Sequence, residues 1–122
     1  MVDWMKAAVI SIGNELLSGF TINTNLAWLG QNLLNIGINV SEQVSINDDR
    51  SQIRGYLHRY IKLYDLIIMT GGLGPTHDDL TPFVLYDYFI DKTVFDKKYW
   101  NEIKSYYKLR KQSTLKLIKI RR

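Results

Sequence analysis

The segment from residue 70 to residue 81 has the composition of an anion-binding loop. It reads Thr70-Gly-Gly-Leu-Gly-Pro-Thr-His-Asp-Asp-Leu-Thr81, with three glycines within four residues. Glycine lets the backbone adopt positive φ and removes side chains from its path, so backbone N–H groups can converge on a phosphate. A helix that starts after such a loop adds positive potential. The segment therefore predicts a phosphate site, to which Thr70, Thr76 and Thr81 add hydroxyl donors.

Two adjacent carboxylates, Asp78 and Asp79, belong to the same segment although they would repel a phosphate. A divalent cation removes the conflict, because hard oxygen ligands hold Mg²⁺ and Mg²⁺ holds phosphate oxygens. The alternative is an aspartate that caps a helix, behind glycines that only make a tight turn. The segment is not a P-loop, because it has no Gly-Lys-Ser/Thr, and it is not a GxGxxG fingerprint.

A second polar loop, Gly13-Asn-Glu-Leu-Leu-Ser-Gly-Phe-Thr-Ile-Asn-Thr-Asn25, follows another apolar run. Glu15 comes soon after that run and could reach the same crevice. Asn23 and Asn25 can bind hydroxyls or amides, although Asn23 alone could also be a helix cap.

Carboxylates thus follow three predicted strands, at Glu15, Asp48 and Asp79, and would face one pocket as a metal or general-base site. We expect Glu15 and Asp79 to be catalytic, and Asp48 and Asp79 to bind the metal. Asp48 is interpreted equally well as a helix cap. The candidate substrate-binding and phosphate-binding residues are Gly13, Asn14, Gly19, Asn23, Asn25, Thr70, Gly71, Gly72, Gly74, Pro75, Thr76, Asp78 and Thr81.

The elements that must position these loops are predicted from hydrophobic spacing. Short apolar runs predict strands over residues 7–12, 38–46 and 66–70, and apolar residues at helical spacing predict a helix after each strand. The first helix would be capped by Asn23 or Thr24 and the second by Asp48 or Asp49. This order suits right-handed parallel crossovers, so we predict an α/β fold with a mostly parallel sheet. Ligands of such sheets bind beyond the carboxyl ends of the strands, where both polar loops lie.

Composition limits the class of protein. The chain has 122 residues, no cysteine and no apolar run close to the roughly 20 residues that span a bilayer. We therefore expect a soluble cytoplasmic protein with no membrane partner. Residues 1–96 hold six basic and eleven acidic residues, whereas residues 97–122 hold ten basic residues and one acidic residue. Such a basic segment is either a solvated helix face, predicted over residues 96–109, or a nonspecific nucleic-acid contact.

The motifs Gly13-Asn-Glu-Leu-Leu-Ser-Gly, Asn23-Thr-Asn25 and the segment 70–81 closely resemble the N-terminal domain of the CinA family of competence/damage-inducible proteins. That domain belongs to the wider molybdopterin-binding superfamily of molybdenum cofactor biosynthesis proteins. The resemblance covers residues 6–90 and implies a three-layer α/β/α fold, a homo-oligomer (dimer or trimer) and a small-molecule nucleotide partner. In CinA-like proteins the domain is associated with hydrolysis of ADP-ribose at its pyrophosphate, which depends on a divalent metal.

Residue by residue, the resemblance implies functional roles for Glu15, Asp48 and Asp79 and for the glycine loop with Thr76 and Asp78. Asn14 departs from the family, which usually has threonine there. We expect residues 1–95 to form the domain, apparently truncated at its C-terminus, and residues 96–122 to be a basic extension or the remainder of the same domain. The alternative functions are molybdopterin-type binding or adenylyl transfer, and a non-catalytic fragment that acts through its basic tail.

Overall fold

Three strands form one parallel sheet at the centre of the molecule. A computed structural model describes residues 4–19, 23–90 and 94–109. Its strands are β1 (Met5–Ile12), β2 (Ile38–Ile46) and β3 (Leu66–Thr70), in the order β2-β1-β3. The central strand is the most apolar part of the core, since Ala7, Ala8, Val9 and Ile10 have no exposed surface. The predicted α/β class with a parallel sheet is confirmed.

Five helices surround the sheet or follow it: α1 (Asn14–Leu17), α2 (Thr24–Asn35), α3 (Arg50–Tyr60), α4 (Thr81–Phe89) and α5 (Lys97–Leu109). α2 begins where Asn23 accepts a hydrogen bond from the N–H of Leu26, and the chain leaves it through Gly37 at positive φ. Asp49 caps α3 through the N–H of Gln52. Both caps satisfy N–H groups that a helix start leaves unpaired. The four-residue helix α1 was not predicted.

The helices cover both faces of the sheet. Alternate residues of β1, among them Ile10 and Ile12, pack against Ile53 of α3 and Val84 of α4. Ser11 points to the other face, where it meets Asn23 at the start of α2. Each fully buried aliphatic side chain contributes about 1.5–3 kcal/mol to this packing. The three-layer α/β/α arrangement is therefore confirmed.

The strand register brings the candidate loops to one edge. Ile12 pairs with Ile46, and Ser11 pairs with Thr70, so the three strands end at nearly the same level. The chain segments after β1, β2 and β3 consequently leave the sheet side by side.

α5 confirms the helix predicted near residues 96–109, whereas residues 110–122 of the basic tail lie outside the described residues. Within the described ranges, no helix has both the length and the apolar character needed to cross a membrane.

Candidate functional site

The glycine turn after β3 lies directly over the end of β1. Gly71 and Gly72 have φ values of 85° and 63°. A Cβ atom at Gly71 would lie 1.9 Å from the carbonyl oxygen of Ile12, and one at Gly72 would lie 2.4 Å from Oγ1 of Thr81. Only glycine combines this backbone conformation with such a close approach. The turn therefore keeps its backbone at the carboxyl edge of the sheet, as the sequence predicted.

Thr81 supports this turn rather than facing a ligand. Its side chain is fully buried, and its hydroxyl donates to the carbonyl oxygen of Gly71 at 2.9 Å. The N–H of Thr81 donates to the carbonyl oxygen of Gly72. The structure thus assigns Thr81 a supporting role, which differs from the predicted phosphate contact.

Asp48 occupies the centre of the site. Asp49 caps α3, so the side chain of Asp48 is not needed there. The N–H of Asp48 donates to Oδ1 of Asn14 at 3.1 Å. Its Oδ1 atom is buried, has no hydrogen-bond partner among the described residues, and lies 3.2 Å from the Cβ position of Gly72. Asp48 therefore connects the loop after β1 to the glycine turn after β3.

Acidic side chains from the segments after β1 and β3 act on the carboxyl of Asp48, which follows β2. Burial raises the pKa of the Asp48 carboxyl, and the negative charges of Glu15, Asp79 and Asp78 raise that pKa further. A backbone hydrogen bond from Asn14 acts in the opposite direction. We call Glu15, Asp48, Asp78 and Asp79 the acidic cluster. The structure therefore brings the predicted carboxylates into one electrostatic environment.

Asp79 also closes its own turn. Its Oδ2 atom accepts hydrogen bonds from the N–H of Thr76 at 2.9 Å and from the Thr76 hydroxyl at 2.6 Å. A Cβ atom at Gly74 would lie 2.7 Å from the same oxygen. The Thr76 donors thus contact Asp79, where the sequence predicted phosphate. The N-cap position of α4 belongs to Leu80, so the alternative that an aspartate caps this helix is wrong.

The acidic cluster suits a cation that is shared with a ligand. Among the described residues, no three Asp, Glu or His side chains are arranged to hold a metal ion by themselves. Mg²⁺ often uses only one or two protein carboxylates and completes its shell with phosphate oxygens and water. The buried, unpaired oxygen of Asp48 is a hard ligand in a negative environment. The donor set therefore fits a divalent ion held jointly with a phosphate.

A buried hydroxyl that the sequence analysis did not select joins two of the predicted residues. Oγ of Ser11 accepts hydrogen bonds from Nδ2 of Asn23 at 2.7 Å and from Oγ1 of Thr70 at 3.4 Å. Asn23 thereby fastens the start of α2 to the sheet. The available signal was a hydroxyl residue near the carboxyl end of a buried strand, but its partners depend on the register with β3.

The remaining candidates have different surroundings. Gly13 is buried, and its N–H donates to the carbonyl oxygen of Ile46. Gly19 has a φ of 76° and open space around its Cβ position. Asn25 and Pro75 are exposed.

Comparison with known proteins places this geometry in a family. The sequence profile described as "Probable molybdopterin binding domain" matches residues 8–119. A CinA-like protein from Salinibacter ruber is 45% identical over 103 residues, which is 84% of this chain and 25% of that protein. The chain thus spans about a quarter of the length of the curated relatives that it matches.

Solved structures show the same architecture. The crystal structure of the protein CinA with unknown function from Thermoplasma acidophilum has a TM-score of 0.74 and 30% sequence identity, and the alignment covers 94% of this chain and 66% of that chain. The molybdopterin biosynthesis enzyme MoaB from Thermus thermophilus has a TM-score of 0.64 at 19% identity, over 68% of this chain and 54% of that chain. At that identity the second likeness shows the fold alone.

Proposed function

The chain belongs to the family of probable molybdopterin binding domains, and within that family we propose that it is a CinA-type nucleotide-binding domain. Its reaction is the hydrolysis of the pyrophosphate in ADP-ribose or a related nucleotide, with the help of a divalent metal ion, for which Mg²⁺ fits best. Water adds across one P–O–P bridge, so ADP-ribose gives AMP and ribose 5-phosphate.

The unpaired Oδ1 atom of Asp48 is the observation that carries this proposal. A buried carboxylate oxygen without a donor is costly, and nearby negative charge increases the cost. Such an arrangement is favourable when a cation and a phosphate enter together. Gly72 lies beside this oxygen and has no side chain that would exclude a ligand.

Each residue of the site has a role in the proposal. The glycine turn binds the phosphate through backbone N–H groups. Asp48 and Asp79 hold the cation, while Glu15 accepts a proton from the attacking water. Asn14 positions Asp48 through its contact with the backbone. When bound, the cation lowers the pKa of a coordinated water and offsets the charge on the leaving phosphate.

The first test is the turnover of ADP-ribose by the full chain, measured as formation of AMP with and without Mg²⁺. We expect turnover only with the metal, and we expect Asp48→Asn to reduce it by about a hundredfold or more, the scale of a lost catalytic group. Asp79→Asn should abolish metal-dependent turnover as well, with the fold retained in circular dichroism.

Asp49→Asn is the matched control, because it removes the same charge at the next residue and asparagine still caps a helix. Its turnover should equal that of the wild type. Equal turnover by Asp48→Asn and wild type, or turnover that does not require a metal, contradicts the proposal.

A second candidate function is the binding of a pterin phosphate, because the glycine turn suits the phosphate of a pterin as well as that of ADP-ribose. The family description favours it. Titration calorimetry with ADP-ribose and with a pterin monophosphate separates the two functions. Tighter binding of the pterin, without turnover of ADP-ribose, would replace hydrolysis with molybdopterin-type binding or adenylyl transfer.

A further inference from the structure

A buried hydroxyl joins the central strand to the start of one helix and to the end of another strand. Ser11 is the last residue but one of β1, and it is only 1% exposed. Its Oγ atom accepts hydrogen bonds from Nδ2 of Asn23 at 2.7 Å and from Oγ1 of Thr70 at 3.4 Å. Asn23 caps α2 and Thr70 ends β3. Because a buried hydroxyl is costly when it is unpaired, these contacts hold the three elements together.

The orientation of the Asn23 amide follows from its two partners. Its Oδ1 atom accepts a hydrogen bond from the N–H of Leu26 at 3.3 Å, which caps α2. The oxygen and the nitrogen occupy opposite ends of the amide, so this cap directs Nδ2 towards Ser11. Both ends of the amide are therefore engaged within the protein. Asn23 thus fixes where the 12-residue helix α2 begins relative to the sheet.

Thr70 connects the same hydroxyl to the glycine turn. It is followed directly by Gly71 and Gly72, both at positive φ. Gly71 lies so close to the carbonyl oxygen of Ile12, the residue after Ser11, that a Cβ atom there would be 1.9 Å from it. The ends of β1 and β3 are thus in contact twice, once through Ser11 and once through Ile12. A displacement at Ser11 therefore reaches the turn.

We propose that Ser11 is a positioning residue, whose hydroxyl fixes the start of α2 and the glycine turn relative to the end of β1. The inference rests on the proposed function, in which the turn binds a phosphate and Glu15, four residues after Ser11, accepts a proton. Ser11 is too deeply buried to touch a ligand, so it acts through Asn23 and Thr70. Hydrolysis depends on such alignment, because a displacement of about 1 Å can lower a rate about a hundredfold.

The kinetics of ADP-ribose hydrolysis by the full chain with Mg²⁺ measure this alignment. Ser11→Ala should lower kcat and kcat/KM by the same factor, about tenfold or more, because the lost alignment acts in the transition state. Ser45→Ala is the matched control. Ser45 pairs with Ser11 in the neighbouring strand β2, and its replacement leaves the contacts of Ser11 in place. Its kcat should equal that of the wild type.

A change at the other end of the contact tests whether Ser11 acts through Asn23. Asn23→Ser keeps a residue that caps helices, but its shorter side chain does not reach Ser11. It should lower kcat as Ser11→Ala does. The double variant should be no slower than the slower single variant, because both substitutions break one contact.

Amide hydrogen exchange tests the positioning without any turnover. The reporters are the N–H of Leu26, bonded to Asn23, and the N–H of Thr81, bonded to the carbonyl oxygen of Gly72. The N–H of Gln52, bonded to the side chain of Asp49, is the internal reference. Ser11→Ala should speed exchange at both reporters by about threefold or more relative to Gln52, whereas Ser45→Ala should not.

The outcomes separate this inference from the proposed function. Exchange that is unchanged at the reporters, or that rises equally at Gln52, overturns the inference. Equal kcat for Ser11→Ala and an active wild type overturns it as well. A wild type without turnover contradicts the proposed function alone, and the exchange pattern then decides the role of Ser11. If Ser11→Ala does not fold, Asn23→Ser provides the same comparison at Thr81.

Discussion

Adjacent aspartates after β2 show how the position of a single residue decides its chemistry. Asp49 accepts the N–H of Gln52 and caps α3. Asp48 is one residue closer to the sheet, so its side chain meets the glycine turn. The sequence could not distinguish them, because either residue can cap a helix that starts near residue 50. The choice depends on which carboxylate the sheet register directs towards β3.

Glu42 provides a second case in which a side chain acquires its properties from distant partners. Its carboxylate accepts hydrogen bonds from the hydroxyl of Tyr60, the last residue of α3, and from that of Tyr64 in the segment after α3. Both hydrogen bonds lower the pKa of Glu42 below its usual value of 4.5, and the bond from Tyr64 has the larger effect. The sequence showed both tyrosines at helical spacing but not the partner that they share.

The lowered pKa of Glu42 predicts a pH-dependent contribution to stability. A depressed folded-state pKa stabilises the fold above the unfolded value and loses that contribution as the pH falls through the folded value. Glu42→Gln should therefore lower the melting temperature at neutral pH and make it less sensitive to pH below about 4.5. Thermal unfolding across the acidic range measures both effects. Glu102→Gln on exposed α5 is the control, and an identical acid response in wild type and Glu42→Gln would contradict the prediction.

At the scale of elements, the glycine turn is the part of the site that tolerates least change. Gly71→Ala would place a Cβ atom 1.9 Å from a backbone oxygen at a φ of 85°, so backbone rather than a flexible side chain must move. We expect a loss of about 2 kcal/mol or more in the free energy of unfolding. Urea denaturation measures it.

Gly55 in α3 is the matched control for that substitution. Its Cβ position has nothing within 4 Å, and its backbone is helical. Gly55→Ala should stabilise the fold by about 0.5–1 kcal/mol, because alanine favours a helix interior. Equal effects of Gly71→Ala and Gly55→Ala would show that the turn is not constrained as described.

Most elements could be predicted from local patterns. The bounds of β2 and β3 follow from apolar spacing, whereas N-cap chemistry left two candidates for each cap, Asn23 or Thr24 for α2 and Asp48 or Asp49 for α3. The helix α1 could not be predicted, because a four-residue helix has no periodicity to detect. The contact between Asp79 and Thr76 was also missed. An aspartate side chain can bond either to the backbone of its own turn or to the start of a helix, and the sequence does not decide between the two.

At the scale of the whole molecule, parallel pairing assembles the site from loops distant in sequence. Crossovers place every strand in the same direction, so Glu15, Asp48 and Asp79 share one edge of the sheet. The order of strands and helices was sufficient to predict this convergence. The position of β3 at an edge of the described sheet was not predictable in this way, because it depends on the strand order.

The central claim is that the acidic cluster binds a cation and a phosphate together. Titration calorimetry of the full chain with ADP-ribose, with and without Mg²⁺, tests this claim most directly. We predict that Mg²⁺ tightens ADP-ribose binding at least about tenfold, that ADP-ribose tightens Mg²⁺ binding by the same factor, and that Asp48→Asn removes this coupling. Equal ADP-ribose affinity with and without Mg²⁺, or no binding in either condition, would contradict the account.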